Sequence, residues 1–294
     1  MTDHNFDERR SLLRGMGALA LLAPALAATR AGAEPVSSLP PAQQAQLAAM
    51  PADARKVHED LMALPDLQMH GDEQILMMLY PGFTALDLVG PYFFFASLMG
   101  ATVHLVTTEP TLAPVKSDLG LAITPTVTMA DAPAKADVLF IGGGTAGTLA
   151  AMQNPAVLAF IRSRAATARF VTSVCTGALV LGQAGLLKGR RATTHWAVLP
   201  ELALFGATPV DARVVTDGNL TTGAGVSAGL DFAVAVVAAL RGKGYAQALM
   251  LQAEYAPQPP FPGGTPATTP KAILEPMAAM QAPFAEMVRK VAKA

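Results

Sequence analysis

From residue 73 onward the chain alternates short uninterrupted apolar runs with longer stretches whose apolar residues recur at helical spacing. The runs are 74–80 (QILMMLY), 102–107 (TVHLVT), 137–141 (DVLFI) and 170–174 (FVTSV). A strand buried on both faces of a parallel sheet reads this way. Between them, residues 85–99, 155–168, 196–205, 227–240 and 245–255 read as helices. Pro155 falls at the first position of its helix, where its missing N–H costs nothing. Gly90-Pro91 predicts a kink or a restart in the first helix. The stretch 113–128 reads as a hairpin turning at Asp118-Leu119-Gly120, and 213–221 as another with Asp217-Gly218-Asn219 at its turn. Residues 191–195 read as a short strand or turn, and His104, in mid-strand, as structural. Strands alternating with helices predict an α/β fold, a doubly wound, mostly parallel sheet flanked by helices.

One junction carries more than fold. Residues 169–187 (RFVTSVCTGALVLGQAGLL) run from a β-branched strand through Cys175-Thr176-Gly177 into an Ala/Leu/Gly-rich helix. Strand, tight turn and helix with a thiol at the corner is the layout of a nucleophile elbow. The first free N–H groups of the helix and its dipole predict a thiol that ionises more easily than usual. The alternative is that Cys175 is a small buried hydrophobe.

Three other features fall at strand ends. Residues 142–147 fit G-x-G-x-x-G, but no Asp or Glu lies between Val138 and Pro200, so the acidic partner of a dinucleotide site is missing. The loop is either a plain tight turn or a close backbone approach to Cys175. In the second case N–H groups of Gly143, Gly144 and Thr176 form an oxyanion hole. Asp87 lies just inside a helix start, as a cap or dipole partner does. Because that loop follows the first strand, its carboxyl also faces the crevice at the strand ends and can exchange protons with a thiol there. His195 follows the elbow by twenty residues, beside the sole Trp. It is a structural hydrogen-bonder or a partner of Cys175.

The flanks read differently. Residues 1–33 place Arg9-Arg10 before an apolar run, 15–28, and a small-x-small site at Ala31-Gly32-Ala33, as in a twin-arginine signal peptide cleaved near Ala33. The run is too short to anchor stably in a membrane. Residues 34–72 read as a Pro-rich linker and a helical extension over 42–64 broken at Pro51, with His58 and His70 exposed. Residues 73–255 form the α/β domain. Residues 256–294 comprise a Pro/Gly-rich stretch to 270, which wraps over the domain or a partner subunit, and an amphipathic terminal helix.

Composition narrows the classes. The 294 residues leave room for one large α/β domain with appendages or for two small domains. With 52% hydrophobic and 15% charged residues, a substantial core is expected. A formal net charge of −1 argues against nucleic acid or an anionic membrane surface as a partner. Losing residues 1–33 leaves 17 basic and 19 acidic side chains, still near neutrality. A single cysteine cannot form an internal disulfide.

The segments DLVGP (87–91), IGGGT (141–145), TSVCTGALVLGQAGLLKGRRATTHW (172–196), TDGNLTTGAGVSAGLDF (216–232) and LQAEYAPQPPF (251–261) together resemble the isonitrile hydratase branch of the ThiJ/PfpI superfamily. The resemblance spans about residues 73–270 and implies a flavodoxin-like fold, a homodimer, a small-molecule substrate and no metal or cofactor. Position by position it implies Cys175 as nucleophile, Thr176 as the important threonine after it and Asp87 as the acid that contacts the thiol. It makes Gly143 and Gly144 the oxyanion loop and His195 the histidine near the cysteine. Gly142 stands where relatives usually carry proline. The implied activity is cysteine-dependent hydration of an isonitrile to an N-substituted formamide. Other thiol chemistry of the glyoxalase or deglycase type is an alternative, as is a non-catalytic sensor whose Cys175 oxidises reversibly. With the signal, the enzyme is expected to be exported folded by the twin-arginine machinery to the periplasm.

Overall fold

The computed structural model describes residues 44–45 and 48–293; the expected signal peptide lies outside them. In chain order the strands are β1 (Gln74–Leu79), β2 (Thr102–Thr107), β3 (Val115–Lys116), β4 (Ala122–Ile123), β5 (Val127–Thr128) and β6 (Val138–Ile141). They continue as β7 (Phe170–Val174), β8 (Arg191–Ala192), β9 (Thr208–Pro209), β10 (Val214–Asp217) and β11 (Leu220–Gly223). The helices are α1 (Ala52–Met62), α2 (Ala85–Ala96), α3 (Ala146–Met152), α4 (Pro155–Ala165), α5 (Gly177–Gln183), α6 (Ala228–Arg241), α7 (Lys243–Gln252) and α8 (Lys271–Val291).

Seven strands make the central sheet in the order β10-β11-β7-β6-β1-β2-β5, parallel except for β10 against β11. The centre is β1, whose residues from Ile75 to Leu79 are all buried because helices cover both faces of the sheet. On one side α2 packs against α6, which also touches α7, β7 and β11; on the other, α3 and α5 pack together, with α4 and α8 behind them. Phe95, Phe140 and Phe232 bridge α2, the sheet and α6, with ring centroids 5.8 to 6.4 Å apart. The chain adds β2 on one side of β1 and then returns to place β6 on the other. At such a reversal the loops leaving the two strands diverge, which opens a crevice at their carboxyl ends.

Several elements differ from the pattern-based expectation. Only residues 115–123 form the first hairpin; Val127 and Thr128 instead join the sheet edge, parallel to β2. The stretch 196–205 is two 3₁₀ segments, Trp196–Val198 and Pro200–Phe205, because Pro200 lacks the N–H that a continuous helix needs. Helix α2 runs through Gly90-Pro91, where it packs closely on α6: a β-carbon on Gly90 would lie 3.2 Å from Leu230, and Pro91 lies over Gly229. Residues 256–270 carry no helix or strand and are almost all exposed.

Two histidines meet within the extension. His58 on α1 is buried, and its Nε2 lies 3.2 Å from His70 Nε2, so the exposed placement expected for this pair is corrected. Burial lowers the pKa of both rings, that of His70 to about 4, so at neutral pH one neutral ring donates to the other.

A buried ion pair fastens the same region. Arg241, at the end of α6, is 1% exposed and donates through Nε to Glu73 Oε1 at 2.6 Å, with Nη2 on Oε2. Its remaining donors go to the carbonyls of Met69 at 3.0 Å and Met99 at 3.1 Å. Every guanidinium nitrogen is therefore engaged, and the chain enters β1 at a fixed position. Arg241→Met would leave Glu73 charged and unpaired in the interior. It is expected to cost about 3–5 kcal/mol, and Glu73→Gln/Arg241→Met considerably less. Urea denaturation of the three proteins measures both; equal losses in single and double variants would contradict this account.

Candidate active site

Three loops meet at the crevice. The β7–α5 loop carries Cys175, the β1–α2 loop leads into Asp87, and the β6–α3 loop carries Gly142, Gly143 and Gly144. Cys175 is the elbow the sequence predicts. It is a non-glycine residue at φ 57°, in the left-handed region, where backbone strain of about 1–3 kcal/mol is expected. Neighbouring groups hold it there. Its N–H donates to the carbonyls of Gly223 at 3.1 Å and Ala224 at 2.7 Å, and its own carbonyl accepts from Thr194 Oγ1 at 2.6 Å. Glycine is required two residues on, because a β-carbon at Gly177 would strike the carbonyls of Ile141 and Gly142.

The thiol does not ionise easily, contrary to the helix-dipole argument. Cys175 is 5% exposed, and burial, reinforced by the charge of Asp87, pushes its pKa well up. The N–H groups of Thr176 and Val226 hydrogen-bond the sulfur and oppose this, but they are outweighed. The helix that would supply the dipole is only seven residues long.

Asp87 is fully buried in the first turn of α2. Its Oδ2 accepts from Gly143 N at 2.7 Å, and Oδ1 has no nitrogen or oxygen partner. Burial raises its pKa to about 7, with Asp118 adding to the rise; the Gly143 N–H and the Cys175 thiol, which hydrogen-bonds the carboxyl, lower it in part. A thiol proton thus faces a carboxyl that can both accept and release it near neutral pH.

The glycine loop is set from both sides. Gly144 N donates to Thr176 Oγ1 at 2.9 Å, and Thr176 Oγ1 donates to Gly144 O at 2.8 Å. The Gly143 and Gly144 N–H groups therefore already have acceptors, Asp87 and Thr176. The donors directed at the sulfur are those of Thr176 and Val226. A β-carbon on Gly143 would lie 2.6 Å from both Thr176 N and its Oγ1, so the loop packs tightly on the residue after Cys175. Gly147 packs in the same way on the backbone of Pro81 and Gly82, a steric use of the glycine that mimics a dinucleotide fingerprint.

His195 is oriented by its own turn. Its Nδ1 accepts from Ala197 N at 3.4 Å, which puts the ring proton on Nε2, and burial lowers its pKa. Among the described residues no hydrogen bond joins it to Cys175; Gly225 lies against the ring instead. His195→Ala is accordingly expected to keep turnover within about tenfold of wild type, measured as kcat. A loss as large as that of a nucleophile variant would make His195 a proton carrier.

Sequence reasoning missed Val226, whose contribution is a backbone N–H, and Thr194, which holds the strained carbonyl. It also passed over Tyr80, which read as a strand end, and Thr148, in a stretch given no element, where the structure places α3. Among the described residues no cluster of three or more His, Cys, Asp or Glu is arranged to hold a metal ion, and no helix is long and apolar enough to cross a membrane.

A flavodoxin-like α/β sheet with a strained cysteine elbow and a buried carboxyl against the thiol defines a class of cysteine-centred proteins. The DJ-1/PfpI family model matches residues 73–239, and the chain belongs to that family. It is 52% identical over 202 residues to the isonitrile hydratase of Pseudomonas putida, covering 69% of this chain and 87% of that protein. A crystal structure of a ThiJ/PfpI family protein from Pseudomonas syringae superposes with a TM-score of 0.75 at 50% identity, covering 77% of this chain and 93% of the other. A deglycase of Thermococcus kodakarensis is 34% identical over 87 residues, covering 30% of this chain and 52% of that protein.

Proposed function

We propose that the chain is an enzyme that hydrates an isonitrile to an N-substituted formamide, with Cys175 as nucleophile and Asp87 as proton carrier. The observation that carries the reading is the buried Cys175–Asp87 pair, in which the carboxyl titrates at about 7 and the thiol well above its ordinary value. The extent of identity to the Pseudomonas putida enzyme supports it.

The terminal carbon of an isonitrile accepts a proton and then a nucleophile. Asp87 takes the thiol proton and delivers it to that carbon, while the sulfur forms the C–S bond. The product is a thioimidate, R–N=CH–S–Cys175. Water then adds to the same carbon, and the nitrogen takes up its proton through Asp87. Collapse breaks the C–S bond, returns a proton to the sulfur and releases R–NH–CHO. The Thr176 and Val226 N–H groups, aimed at the sulfur, stabilise charge that develops there. The balance is one isonitrile and one water to one formamide, with no external oxidant or reductant.

The experiment is a panel of aliphatic and aromatic isonitriles, glyoxal and methylglyoxal offered to the purified protein. Formamide formation without glyoxal consumption supports the reading. Glyoxal turnover alone would assign it to glyoxalase or deglycase chemistry. No turnover with rapid sulfinate formation would assign it to redox sensing. The reading includes export of the folded enzyme to the periplasm by the twin-arginine machinery, and a homodimer, supported by Arg9-Arg10 ahead of the apolar run and by the family resemblance. Arg9→Lys/Arg10→Lys is expected to retain the protein in the cytoplasm.

A further inference from the structure

Three consecutive glycines have no side chains with which to hold a loop, yet Gly143 must present its N–H to Asp87 at a fixed distance. The restraint comes from a buried chain of hydroxyls. Tyr80 Oη donates to Gly142 O at 2.6 Å. Thr148 Oγ1 lies 3.3 Å from Tyr80 Oη and 2.8 Å from Thr176 Oγ1. Thr176 Oγ1 in turn donates to Gly144 O at 2.8 Å. Tyr80 is 3% exposed and Thr148 fully buried.

Counting protons fixes the direction of the chain. Each hydroxyl has a single hydrogen. Those of Tyr80 and Thr176 are committed to carbonyls, which can only accept. The Thr148 proton is therefore the one hydrogen available to the oxygens of Thr176 and Tyr80; the shorter distance gives it to Thr176, and Tyr80 Oη packs against Thr148 Oγ1 as a polar contact. The two ends of the chain fall on Gly142 O and Gly144 O, on either side of Gly143. The Gly143 carbonyl is itself fixed by Thr84 N–H at 2.8 Å. The hydroxyls thus enclose the one residue whose N–H meets the carboxyl.

We propose that Thr148 and Tyr80 are positioning residues of the active site, which act through the glycine loop on Asp87 and through Thr176 on the elbow. Thr148 occupies the central place, since its hydroxyl alone touches both strand-borne and elbow-borne oxygens. Removing it takes from Thr176 Oγ1 the one hydrogen bond that anchors it from outside the glycine loop, and so loosens residues 142–144. Asp87 then loses its N–H partner. A hydrogen bond to the ionised form lowers a carboxyl pKa, so its loss raises that pKa.

The test uses Thr148→Val, Tyr80→Phe and Thr148→Ser in the full chain. Two readouts are taken across pH: isonitrile turnover and the rate of Cys175 alkylation by iodoacetamide. The kinetic readout rests on the isonitrile reading. Alkylation needs no substrate, so the positioning roles can be judged even if wild type hydrates no isonitrile. Thr148→Val and Tyr80→Phe are expected to lower kcat about tenfold with KM within about twofold. Their acid limb should move up by at least about half a pH unit in both readouts, and Thr148→Ser should restore it. Folded variants with an unmoved limb would overturn the proposal, even if kcat falls, because a merely structural role lowers activity without retuning Asp87. Should Thr148→Val fail to fold, Tyr80→Phe, which removes one oxygen, decides in the same way.

Discussion

Cys175→Ser is expected to lower isonitrile turnover by about three orders of magnitude or more, with little change in thermal stability. The two halves of that expectation have separate causes. Serine replaces one buried atom at an elbow whose strain is borne by Gly223, Ala224 and Thr194, so the backbone geometry survives. The chemistry does not survive, because an alkoxide is far harder to form than a thiolate and Asp87, titrating at about 7, is too weak a base to generate one. Cys175→Ala should be as inactive. Steady-state rates with a simple aliphatic isonitrile, beside melting temperatures, check this. Turnover within tenfold of wild type in either variant would remove sulfur from the mechanism.

Asp87→Asn combines a functional loss with a gain in stability. Asparagine keeps an oxygen for the Gly143 N–H but cannot carry a proton, and a drop in kcat of about 10²–10⁴-fold is expected. In the wild type, activity should fall on the acid side with a midpoint near 7, because a protonated Asp87 can no longer take the thiol proton. The variant should lack that limb. The stability sign follows from linkage. The Asp87 carboxyl has an ordinary value of 3.8 and a folded one of about 7, so between these values the folded state binds the extra proton. The wild type therefore loses stability as pH rises through this window, by a few kcal/mol, and the cost is constant above it. Asp87→Asn removes the cost, so its advantage in melting temperature should be larger at pH 8 than at pH 4. An equal difference at both values would mean that Asp87 is not held protonated by burial. A site that destabilises its own fold in this way is the usual exchange of stability for function.

The same pair shows where sequence reasoning stops. The elbow was legible because its signals are consecutive in the chain: a β-branched strand, a thiol at the corner and a Gly-rich helix start; that Gly177 is needed because β6 passes too close for a side chain appears only in the fold. The acidity of that thiol was not legible. A helix start favours an anion, but the depth of burial and a neighbouring carboxyl decide the balance, and neither is encoded near residue 175 in the chain. His58 and His70 mislead for a similar reason. A histidine in a polar helix or its flank reads as solvated, and only the folding of residues 63–70 back onto α1 brings His70 against His58. The 3₁₀ segments after residue 195 were misread as one helix because periodicity outweighed Pro200.

By itself the sequence determined the parallel α/β sheet, through apolar runs long enough only for buried strands, and singled out Cys175 and Asp87 as candidate residues at the strand ends. It also argued against reading 142–147 as a dinucleotide fingerprint, because no acid lies from 138 to 200. Tertiary structure alone decided what those groups are. The strand order brings the ends of β1, β6 and β7 together, so Asp87 and Cys175, distant in the chain, share one buried space. Which backbone N–H meets the sulfur, which meets the carboxyl, and which hydroxyls hold the glycine loop all depend on that assembly. Hydrogen bonds and desolvation act over a few ångströms in space, and no pattern along the chain records them.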